Sequence, residues 1–152
     1  MRRIASAACL GLTLLGAPAS AWSQRHSTHK GNLELQAEAL PASALAAELA
    51  ARYRVEPAAD RGVLLVWVQR RERGHTVPMP AQVYAGAMNR RNLVISIPLR
   101  EVRNGEAVHY VGEYRISPPD ELRFLINANV LGTPLKLEFE RAFPDRAAAQ
   151  TP

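Results

Sequence analysis

Thiols are almost missing from this 152-residue chain, whose one cysteine is Cys9. The segment around it has the form of an export leader: Arg2-Arg3, an apolar run from Ile4 to Gly16, and small residues Ala19-Ser20-Ala21 at a cleavage position. Cleavage after Ala21 is expected to leave residues 22–152 with no cysteine at all, which excludes a disulfide, a zinc–thiolate site and a cysteine nucleophile. The apolar run is too short for a stable membrane anchor, since about 20 residues are needed to span hydrocarbon. Cys9 also comes too early in that run to be a lipid attachment site. The expected location is therefore the periplasm or the medium.

Lysine is scarce as well. Lys30 and Lys136 are the only two, so the positive charge is almost all arginine, and losing Arg2 and Arg3 lowers the formal net charge from +5 to +3. The arginines are scattered among glutamates instead of forming a stripe with aromatic residues between, so no nucleic-acid partner is expected.

Catalytic motifs are missing too. The chain has no glycine-rich phosphate loop, no Gly-x-Ser-x-Gly elbow, no His-Glu-x-x-His helix and no acidic calcium loop. Ser23, Ser27, Ser43, Ser96 and Ser117 have no histidine at a motif's spacing, and the pairs Glu106/Glu113 and Glu138/Glu140 suit solvated strand faces. His26 and His29, three residues apart, have a spacing that could bind a metal, but they lie in the polar stretch 22–31, read as a flexible leader to the domain, where solvated histidines are expected. His75, Met79 and Met88 could in principle hold copper, but they share no repeated spacing. No catalytic residue, metal ligand or cofactor is assigned.

What is present is the patterning of an all-β domain. Leu33, Leu35, Ala37 and Ala39 alternate with polar residues, as do Leu122 to Val130 and Leu135 to Phe143, the period of strands with one wet face. Val63 to Val68 is an unbroken apolar run suited to a central strand, with Trp67 as its expected core anchor. Ala42 to Tyr53 places Leu45, Leu49 and Tyr53 on one stripe of a short helix expected to pack on a sheet. Seven strands are expected, near 32–40, 62–70, 80–88, 92–102, 106–116, 121–130 and 134–143. Together they imply an antiparallel, immunoglobulin-like β-sandwich spanning residues 32–144, with 145–152 a disordered tail.

The segment 92–116 is the clearest. Asn104-Gly105 suits a type I′ hairpin turn, and that turn sets Leu99 opposite Tyr110, Ile97 opposite Gly112 and Ile95 opposite Tyr114 on the buried side. The outer side then pairs Arg100 with His109 and Ser96 with Glu113, with Arg103 and Glu106 meeting across the tip. Arg100, Arg103, Glu106 and His109 are the candidate binding residues.

Arg100-Glu101-Val102-Arg103, Gly105-Glu106-Ala107-Val108 and Tyr110 resemble the central signature of the secreted bacterial proteins grouped as domain-of-unknown-function family 4426. Leu45, Glu48-Leu49-Ala50, Tyr53, Arg61-Gly62, Ala81, Val83, Asn89, Glu121-Leu122-Arg123-Phe124, Phe139 and Phe143 follow in matching order, so the resemblance covers about Asn32 to Asp145. It implies a small exported β-rich domain with no established activity and no catalytic residues to carry over. The chain departs from the pattern at Arg90-Arg91 and at Leu131-Gly132-Thr133.

The functional expectation is an exported, non-catalytic binding or protein-interaction module whose partner is an envelope protein or a peptide. A carrier of a small apolar ligand or copper between the sheets is the alternative, and a hydrolytic enzyme comes third.

Overall fold

A computed structural model describes residues 24–145. In chain order the elements are β1 (Arg25–Lys30), β2 (Leu33–Pro41), a 3-10 turn (Ala42–Ala44), α1 (Ala47–Tyr53), β3 (Arg61–Glu72), β4 (His75–Pro78), β5 (Gln82–Asn89), β6 (Val94–Ile97), β7 (Leu99–Asn104), β8 (Ala107–Arg115), β9 (Asp120–Val130) and β10 (Thr133–Phe143). The larger sheet runs β1-β2-β3-β8-β7, with β4 also on β3, and the smaller runs β10-β9-β5-β6. All pairings are antiparallel. The fold is thus the expected all-β sandwich, with ten strands in place of seven. The expected leader 1–21 and the tail from 146 onward lie outside the described residues. Among the described residues no helix is long and apolar enough to cross a membrane.

The β9–β10 pair shows how sequence becomes shape. Leu122, Phe124, Ile126, Ala128 and Val130 are buried while Arg123, Leu125, Asn127 and Asn129 between them are exposed, and β10 repeats the pattern. Leu131 and Gly132 close the hairpin with φ of 48° and 87°, the two positive φ angles of a type I′ turn. The inward side chains meet Leu35, Leu64, Val66 and Val68 of the larger sheet in one core. Tyr114 stands edge-on to Phe124 at 5.2 Å, and Phe124 stacks on Phe139 at 5.0 Å. Burying each such side chain contributes about 1.5–3 kcal/mol.

The run Val63–Val68 is buried on both faces because a second layer covers the larger sheet from outside. Leu45, Ala50 and Tyr53 pack there on Val63, Leu65 and Val111. Cover ends at Trp67, so the expected core anchor is instead a half-buried side chain on the outer face, with the Arg25 guanidinium 5.0 Å over its ring.

Three further expectations need correction. Arg25–Lys30, within the segment read as a flexible leader, is the edge strand β1. Its polar sequence hides this role: the ladder is made by backbone groups, and the inward apolar contact comes from His26, stacked on Phe139 at 4.1 Å. The strand expected over 92–102 is two strands in different sheets, divided at Pro98, which has no N–H to give to a ladder. The remaining hairpin is in register two residues off: Asn104 pairs with Ala107, leaving Gly105 (φ 60°) and Glu106 as the turn. Glycine at the first central position is the pattern of a type II′ turn. Because a shift of two preserves side-chain parity, Tyr110 and Tyr114 still point inward.

Candidate functional site

Arg100 now lies across from Val111 and His109 from Val102, so the two do not face each other. They are linked through Tyr53 at the end of α1. Arg100 Nη2 donates to the Tyr53 carbonyl and, at 3.4 Å, to that of Arg54, satisfying carbonyls that a helix C-terminus leaves unpaired. The Tyr53 hydroxyl is 2.6 Å from His109 Nδ1. Burial raises the phenol's pKa, while burial and then Arg52 lower that of the imidazole, so both groups are held in their neutral forms and the ring tautomer sets which of them donates. Trp67 covers the same imidazole, with ring centres 5.8 Å apart. Arg103 bonds Glu101 at 2.6 Å, not Glu106, which occupies the turn. The four candidates therefore divide: Arg100 and His109 hold α1 to the sheet, while Arg103 and Glu106 sit apart at the hairpin tip.

A different set of residues forms a concavity at one end of the sandwich. Asn89 Oδ1 accepts from the N–H groups of Arg91 at 2.9 Å and Leu93 at 3.0 Å, fixing the turn that carries Arg90 and Arg91. Across from it, the linker Ser117–Pro119 is held by Asp120, whose carboxylate accepts from the N–H of Ser117 at 3.5 Å and of Glu121 at 2.9 Å. The end of β10 closes the third side. The resulting groove has a volume of about 660 Å³, with Ile95, Pro119, Phe143 and Pro144 as apolar lining and Arg90, Arg91 and Arg115 as cations. Arg115 comes from the larger sheet and Ile95 and Phe143 from the smaller, so the groove lies where the layers meet.

Its charges are unequal in their commitments. Arg90 bonds Glu121, with Nε 2.5 Å from Oε2. Arg115 is 3.8 Å from Asp60 and its side chain is 92% exposed. Arg91 has no acidic partner among the described residues. Arg90-Arg91 departs from the family pattern in sequence, but three remote segments build this groove, and no local spacing reveals it.

The residues weighed for metals do not gather. His26 and His29 point to opposite faces of β1, Met79 is in the core, and among the described residues no three His, Cys, Asp or Glu side chains converge as a metal-ligand group.

Fold and groove together define a small two-sheet β-sandwich module with a cationic recess at one end. A sequence family described as Domain of unknown function (DUF4426) matches residues 27–145. The chain belongs to this family. It is similar to the crystal structure of a DUF4426 family protein from Pseudomonas aeruginosa, at 23% identity and a TM-score of 0.65, over 80% of this chain and 97% of that one. The GAE domain of GGA2p from Saccharomyces cerevisiae overlaps at 10% identity and a TM-score of 0.35, over 81% of this chain and 99% of that one. A superposition that low carries no functional argument. No curated protein matches the chain.

Proposed function

We propose that the protein is an exported, non-catalytic binding module that takes its partner in the end groove. The observation that carries this reading is the recess of about 660 Å³ whose cations Arg91 and Arg115 are not neutralised by close carboxylates. That volume is within the range of ligand sites. A ligand held deep between the sheets is less favoured, because Phe124, Ile126, Leu35 and Val66 fill that space. Export rests on Arg2-Arg3, the run Ile4 to Gly16 and Ala19-Ser20-Ala21.

Two measurements test the proposal. Mass spectrometry of fractionated cells is expected to find a chain beginning at Trp22 in the periplasm or medium; an unprocessed chain confined to the cytoplasm rejects export. A thermal-shift screen of mixed ligands is expected to yield a compound that raises the melting temperature of the wild type but not of Arg91→Glu/Arg115→Glu. Hits that stabilise both proteins equally would remove the groove from the argument.

A further inference from the structure

We infer, building on the proposed binding role of the end groove, that its ligand is the C-terminus of a polypeptide, with the free carboxylate between Arg91 and Arg115. The charges decide the sign. Both carboxylates on the rim are occupied, Glu121 by Arg90 and Asp120 by two backbone N–H groups. The guanidinium of Arg91 has no acidic partner among the described residues, and that of Arg115 has only Asp60 at 3.8 Å.

Two guanidinium forks, one without an acidic partner among the described residues and one with only the long contact to Asp60, match the planar, two-oxygen shape of a carboxylate. The lining argues for what carries that charge. Ile95, Pro119 and Pro144 offer apolar surface for a terminal side chain. The Asn89 amide N–H groups and, across the recess, the Ser117 hydroxyl offer groups that can meet a peptide backbone. A plain hydrocarbon tail would leave those polar groups without partners, whereas a peptide end presents carboxylate, amide and side chain together.

The test uses fluorescein-labelled hexapeptide pools ending in Ala, Val, Leu or Phe, as free acids and as C-terminal amides, with binding read by anisotropy. The acid of at least one pool is expected to bind at least tenfold more tightly than its amide. Arg91→Ala/Arg115→Ala is expected to abolish that difference, whereas Arg103→Ala at the distant hairpin tip leaves it intact. Equal binding of acid and amide, or a difference that survives the double variant, overturns the inference. So does displacement of the peptide by decanoate or inorganic phosphate at the peptide's own concentration, which would point to an amphiphile or a phosphate. If no pool binds while another compound still stabilises the wild type alone, the peptide is wrong and the groove remains; if nothing distinguishes the wild type from the double variant, both fall.

Discussion

Replacing Gly112 with alanine probes the corner where the chain leaves one sheet for the other. A Cβ at Gly112 would lie 2.5 Å from Ile97 Cγ2, 2.8 Å from Leu99 Cδ2 and 3.0 Å from the Pro98 carbonyl oxygen. Carbon atoms in contact prefer about 3.5–4.0 Å, so the corner would have to retreat by roughly 1 Å. Ile97 is 2% exposed, and its Cγ2 sits on the branched Cβ, so it cannot swing aside as the far end of a flexible side chain would. Such overpacking costs about 1–3 kcal/mol, offset by about 0.5–1 kcal/mol from replacing glycine within a strand. The net loss, centred on about 1 kcal/mol, should lower Tm by roughly 3–5 °C in a domain of this size. Urea unfolding of Gly112→Ala, Ile97→Ala and the double variant measures it. The double variant should be less destabilised than the sum of the singles by at least about 0.5 kcal/mol. An unchanged Tm for Gly112→Ala, or strict additivity, would refute the tight corner.

Two further outcomes are expected. Leu131 is 89% exposed with a φ of 48°, so Leu131→Asn should raise stability by about 0.5–1 kcal/mol, and a fall in Tm would argue against the left-handed turn. Acidification should weaken the fold, because burial lowers the pKa of His26, helped by Arg141, and of His109, helped by Arg52. The unfolded chain then takes up protons first, so this stability is complete above pH 6.5, declines as pH falls through that value and levels off below the folded-state pKa. Urea midpoints at pH 7.5 and 5.5 should differ less in His26→Leu than in the wild type; an equal difference would discount His26.

Much of this fold is legible where local pattern and tertiary demand coincide. Phe124, Ile126, Leu137 and Phe139 alternate with polar residues because their strands have one dry face, and period two records that directly. The same rule identifies Tyr110 and Tyr114 as inward even though the hairpin register is two residues off. Other features depend on remote partners. Val94–Ile97 joins β5 and not the hairpin, a choice governed by the close approach of Ile97 and Leu99 to Gly112 and the missing N–H of Pro98. Arg25–Lys30 is a strand because β2 offers it a ladder, whatever its own polarity. The position of Arg100 beside Tyr53 follows from where α1 ends, which strand alternation does not encode. The groove is the least legible, since residues near 90, 117 and 143 become neighbours only through the topology.

The passage from Ile97 to Leu99 also limits how the layers can move. The two peptide units between those residues reach only about 6.6–7.2 Å, which leaves little slack for either layer to slide along the other at that seam. Relative motion is reduced to a pivot about the stitch, so a guest arriving in the recess would meet walls that tilt slightly and do not translate.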